Sequence, residues 1–177
     1  MLIKGFPTVL RHQIGIILRE ADTILTRVTI DDGHQHGGIL CVAEPETGRA
    51  LFLGPFGVLT AEEYDEYTIF AQEKARRLAT NRAHFTSWQS RDMTTNPKRY
   101  AGAVKLRDGH ILSFSGFKEE QDEAAMLVLA MNIGAMDGGP AALLAQLSGN
   151  QYFRKLQNFC GGDSTEPSKL YQLTTCR

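Results

Sequence analysis

The stretch Tyr100-Ala101-Gly102-Ala103-Val104-Lys105-Leu106-Arg107-Asp108-Gly109-His110-Ile111-Leu112-Ser113-Phe114-Ser115-Gly116 holds two apolar runs around a short polar turn. Its centre, Arg107-Asp108-Gly109, is a strong turn signal, because an Asp-Gly pair accepts the positive φ angles that a tight hairpin demands. An earlier stretch repeats the pattern without repeating the residues. There Ile39-Leu40-Cys41-Val42 and Arg49-Ala50-Leu51-Phe52-Leu53 flank Glu44-Pro45-Glu46-Thr47-Gly48. Pro45 suits that turn and could not donate a hydrogen bond in mid-sheet. Two hairpins, each followed by a helical pattern, predict an α+β fold with a central antiparallel sheet flanked by helices.

The helical patterns lie outward from the hairpins. Residues 8–21 carry Val9, Leu10, Ile14, Ile17 and Leu18 on one stripe, with Pro7 and Thr8 as a start. Residues 26–30 alternate and are β-branched, which predicts a strand. Thr60-Ala61-Glu62-Glu63 has the spacing of a capping box. The helix it opens runs to about Thr80, with Tyr64, Tyr67, Ala71, Ala75 and Leu78 facing inward. Glu73, Lys74, Arg76 and Arg77 are assigned to its outer face. Residues 84–90 are a candidate strand within a polar stretch. After the second hairpin, Lys118-Glu119-Glu120-Gln121-Asp122-Glu123 opens a helix with acidic residues in its first turns, which complement its dipole. Residues 124–136 are apolar nearly all round, so that helix should be buried on more than one side. Asp137-Gly138-Gly139-Pro140 then breaks the chain. The division expected is an α+β domain over residues 1–137 and a helical and irregular C-terminal appendage over 138–177, packed through Tyr152, Phe153, Leu156 and Phe159.

The chain has 177 residues, 42% of them apolar, which suits one domain with a real core. Its 19 basic and 20 acidic residues leave a formal net charge of −1. That balance lacks the basic footprint of a nucleic-acid or anionic-membrane partner. No apolar run approaches the roughly 20 residues of a bilayer span. Three cysteines, widely spaced and odd in number, argue against a disulfide framework and for a reduced, cytoplasmic setting.

The most specific segment runs Ser113-Phe114-Ser115-Gly116-Phe117-Lys118-Glu119-Glu120-Gln121-Asp122, after Asp108-Gly109-His110-Ile111-Leu112. A strand ending in Ser-Gly, then an acidic turn ending in Asp that opens the last helix, resembles the GlcG/HbpS family of haem-binding or haem-degrading-domain-like proteins. The order helix, hairpin, helix, hairpin, long helix is similar to that family over residues 8–136. The resemblance implies a profilin-like or PAS-like α-β sandwich, haem or small-molecule binding, and a habit of homo-oligomeric assembly.

Two places can hold chemistry. At Ser115-Gly116, with Phe114 and Phe117 on either side, a glycine at a strand-to-helix junction lets a ligand approach the backbone. Free N–H groups at the helix start favour an anion such as a carboxylate. His110, beside the Asp-Gly turn, is a candidate axial haem ligand, with His84 as a second. Asp122 and Glu123 are adjacent carboxylates of the kind used as acid and base. The other place is His34-Gln35-His36, whose imidazoles share a face in an extended chain and point to a metal, with Asp31 and Asp32 as possible oxygen ligands. Three readings follow. One is a non-catalytic module for a small molecule, haem among the options. Another is a metal-dependent enzyme at His34 and His36. The last is an interaction protein that assembles through its sheet or helix faces.

Overall fold

The computed structural model describes residues 8–33, 37–91 and 99–160. In chain order the elements are α1 (Thr8–Asp32), β1 (Gly38–Ala43), β2 (Ala50–Phe56), α2 (Ala61–Thr80), β3 (Ala103–Lys105), β4 (Ile111–Ser115), α3 (Glu119–Asn132), α4 (Gly138–Leu147) and α5 (Tyr152–Cys160). The four strands form one antiparallel sheet in the order β2-β1-β4-β3. Each hairpin supplies an edge strand and a central strand. The hairpins join through β1 and β4, with Ile39 opposite Ser115 and Cys41 opposite Ser113.

Helices cover both faces, so β1 is buried along its whole length and reads as an unbroken apolar run. Strand alternation divides its side chains. Ile39, Cys41 and Ala43 join Ala103 and Ile111 beneath α2, against Ala71, Ala75 and Leu78. Leu40 and Val42 join Val104, Leu112 and Phe114 on the opposite face, in a larger cluster with α1, α3, α4 and α5. Burial pushes the Cys41 thiol up to about 12, so the cysteine is a small hydrophobe and not a nucleophile. Among the described residues no helix is long and apolar enough to cross a membrane.

The Thr60 capping box is present in full, with the Glu63 N–H donating to the Thr60 hydroxyl (3.2 Å) and the Thr60 N–H to the Glu63 carboxylate (2.8 Å). Other local expectations fail for identifiable reasons. Residues 26–30 continue α1 and form no strand. Ile17, Ala21, Ile24, Leu25 and Val28 make a helical stripe buried in the larger cluster, and that periodicity overrides β-branched propensity. Residues 84–90 make only a bridge from Thr86 to Val104, then a single 3-10 turn at Ser87–Ser90.

Lys74 and Arg77, assigned to the outer face of α2, are buried, whereas Tyr64 is exposed. The α3 stretch from Ala124 to Ala130 is buried all round. The sheet, α1 and α5 surround α3 within the chain, so it presents no free apolar face for assembly. In α5, Phe153 and Leu156 enter the cluster shared by α1 and α3. Asp31 of α1 pairs with Lys155 (3.3 Å) and accepts from the Tyr152 hydroxyl (3.2 Å). Phe159 stays exposed, with the Arg27 guanidinium 3.7 Å from its ring centroid.

Candidate functional site

A cleft of about 460 Å³ opens where α2 passes the turn between β4 and α3. Its floor is an ion pair that the chain assembles from three elements. Lys74 comes from α2, beneath one face of the sheet, and Asp122 from α3, on the other. They meet beyond the end of β4, where Lys74 Nζ lies 2.8 Å from Asp122 Oδ2. The same ammonium donates to the Phe114 carbonyl at 2.8 Å. The side chains are 1% and 2% exposed, so water screens the pair little.

Gly102 makes this approach possible. Its φ is +120°, and a Cβ there would lie 2.7 Å from Asp122 Cβ, 2.8 Å from the Phe114 oxygen and 2.9 Å from Lys74 Nζ. Asp122 Oδ1 accepts the Phe117 N–H at 3.0 Å. Burial pushes the Asp122 carboxyl up to about 6, opposed by the Lys74 ammonium and by the Phe117 and Gly116 N–H groups.

Three aromatic residues rise from that floor. Tyr67 and Phe70 come from α2, and Tyr100 from the segment before β3. Phe70 and Tyr100 meet edge to face, with centroids 5.5 Å apart. Tyr100 is held from behind by Arg77, whose guanidinium donates to the Tyr100 carbonyl (2.6 Å) and to the carbonyls of Ser87 (3.1 Å) and Ser90 (3.0 Å). Glu119 fixes the other side by accepting the Ala101 N–H (3.2 Å) and pairing with Arg91. Burial, and then the carboxylates of Glu63, Glu66 and Asp122, push the Tyr67 phenol up, so it remains a donor at neutral pH.

The residues singled out from sequence divide between several places. Ser115 and Gly116 line the cleft. Gly116 is required by strand contact, because a Cβ there would meet the Gly37 oxygen at 2.3 Å and Gly38 Cα at 2.5 Å. The N–H groups of the turn before α3 are spent inside the chain, Phe117 on Asp122 and Lys118 on Gln121 (3.1 Å). The Phe114 ring lies in the larger core cluster and Phe117 stacks on it, with centroids 5.3 Å apart. Asp122 and Glu123 diverge, since Glu123 accepts from the Asn150 amide (3.0 Å), which in turn caps the start of α5.

His110 sits at the opposite end of β4, about 15 Å away by strand rise. His84 does not line the cleft either. His34 and His36 lie outside the described residues. Among the described residues no group of three histidine, cysteine or acidic side chains could hold a metal ion. A second depression of about 480 Å³, beside Leu59 and Tyr64, has no buried polar group facing it among the described residues.

At the hairpin tips His110 Nδ1 lies 3.0 Å from Asp108 Oδ2. That hydrogen bond holds the His110 pKa above 6.5 and the Asp108 pKa below 3.8. The His110 contribution to stability is complete below its unfolded pKa and fades as pH rises through the folded value. The Asp108 contribution fades as pH falls through its own lowered value. An NMR titration is expected to place the His110 midpoint above 6.5 in the wild type and nearer 6.5 in Asp108→Asn. Equal midpoints in the two proteins would dismiss the contact.

Compared with protein-family models, with curated proteins and with solved structures, the chain matches none.

Proposed function

We propose that the protein is a non-catalytic binding module of the GlcG/HbpS type that holds a small organic molecule in the cleft between α2 and the β4–α3 turn. One observation carries this reading. Aromatic side chains stand over a buried polar floor, and the ionisable groups of that floor are committed to one another. Pockets that combine apolar walls with a few convergent polar groups are the usual form of a small-molecule site. Lys74 and Asp122 neutralise each other, and neither has the unspent partner that acid–base catalysis needs. Free Cys41 and Cys160 fit a reduced, cytoplasmic setting. The resemblance adds homo-oligomeric assembly.

The haem form of this reading needs an axial ligand; among the described residues that line the cleft there is no histidine, cysteine or methionine, and of its two tyrosines Tyr67 has its phenol kept protonated by burial and the nearby carboxylates. An organic molecule without iron is therefore the better match. A haemin titration followed at the Soret band is expected to give no saturable shift at one equivalent. A saturable shift that disappears in His110→Ala would place the ligand at the hairpin tips and overturn the cleft reading. Fragment screening by protein NMR supplies the positive test, with shifts expected at the amides of Ser115, Gly116 and Phe117.

A further inference from the structure

Among the described residues, two donors at the cleft floor have no acceptor. Ser115 is 4% exposed, and its hydroxyl has no hydrogen-bond partner among the described residues. Strand alternation places it on the same face as Ser113, whose hydroxyl donates to the Ala71 carbonyl of α2 (2.8 Å), so Ser115 also points toward α2. An ammonium group carries three N–H donors and no acceptor. Lys74 spends two of them, on Phe114 and Asp122, and the third has no partner among the described residues.

Charge decides what can meet those donors. An anion placed against Lys74 would also face Asp122, whose carboxylate lies 2.8 Å from that ammonium. A cation placed against Asp122 would face Lys74. In a site this buried such like-charge contacts are poorly screened. The turn that leads into α3 offers an anion little, because Asp122 and Gln121 already accept the Phe117 and Lys118 N–H groups, and Glu119 lines the cleft as a further carboxylate.

Resting on the cleft reading above, we propose that this site selects a neutral, flat molecule with an exposed hydrogen-bond acceptor, such as a carboxamide or ring carbonyl. Its acceptor oxygen takes the Ser115 hydroxyl and the third N–H of Lys74. Its ring lies among Tyr67, Phe70 and Tyr100.

Three probes of one shape and different charge test the proposal: benzamide, benzoate and benzylammonium. Each is titrated into the protein while the amides of Ser115, Gly116 and Phe117 are followed by NMR. Benzamide is expected to bind about tenfold more tightly than either charged probe, the effect of roughly one hydrogen bond to a charged group. Ser115→Ala should weaken benzamide several-fold and leave the charged probes unchanged, whereas Ser115→Thr keeps the hydroxyl and should restore binding. A wild-type-like amide spectrum for each variant establishes that it is folded. Benzoate or benzylammonium binding as tightly as benzamide would overturn the ligand class and leave the cleft standing as a site. Benzamide affinity unchanged in folded Ser115→Ala would remove the hydroxyl from the site. No shift at these amides with any probe would overturn the cleft reading itself.

Discussion

Asp122→Ala is expected to cost about 3–5 kcal/mol of unfolding stability, the usual consequence of leaving one member of a buried ion pair without its partner. Lys74 would keep its bond to the Phe114 carbonyl and lose the carboxylate it is paired with. Its ammonium sits too deep for water to replace the carboxylate. The paired variant Lys74→Met with Asp122→Leu replaces two buried charges by apolar groups of similar length, and most of the loss should be recovered. Guanidinium denaturation of the wild type, the single variant and the paired variant measures both. A paired variant as unstable as the single one would show that the Asp122 bond to the Phe117 N–H carries the effect.

The same pair sets a pH dependence. The folded protein holds the Asp122 proton up to about 6, against 3.8 for the ordinary carboxyl. Between those values the folded state binds more protons than the unfolded chain, so this group lowers stability as pH rises from 3.8 to about 6. In Asp122→Asn that fall should be absent from the stability profile.

Gly102→Ala is the second large effect expected. An L-residue at φ +120° strains the backbone by about 1–3 kcal/mol. The new methyl would also be forced against Asp122 Cβ and the Phe114 carbonyl, which adds overpacking of about 1–3 kcal/mol. Urea unfolding measures the sum, and a loss below about 0.5 kcal/mol, the range of an ordinary surface substitution, would contradict the close approach described. Amide exchange should rise first at Phe114, whose N–H donates to the Gly102 carbonyl at 2.8 Å.

The hairpins, the Thr60 cap and the buried α3 could be read from the chain because each depends on residues close in sequence. Asp108-Gly109 needs nothing distant to make a turn. The charge of Lys74 points to the outer face of α2, but its position points inward. It lies three residues after Ala71 and four before Leu78, on the helical face that is buried. Its partner Asp122 is on another helix, and no local pattern links the two. The role of Gly116 was likewise hidden in a pairing, since Gly37 and Gly38 sit against it only once β1 and β4 are side by side. The cleft inherits this difficulty. Ser115 was visible as a strand end, whereas Tyr67, Phe70 and Tyr100 become neighbours only after the sheet has formed.

The central seam of the sheet also bears on how the chain reaches this state. Each hairpin closes over a short loop and can form early and reversibly. The β1–β4 ladder joins segments separated by all of α2 and the polar stretch after it, so its closure entropy is spent before its contacts reward it. The meeting of the two hairpins is therefore the expected rate-limiting encounter, which stopped-flow refolding of seam variants would test. Substitutions at Cys41 or Ser113, on that seam, should slow folding, whereas loss of the Thr60 cap should chiefly speed unfolding.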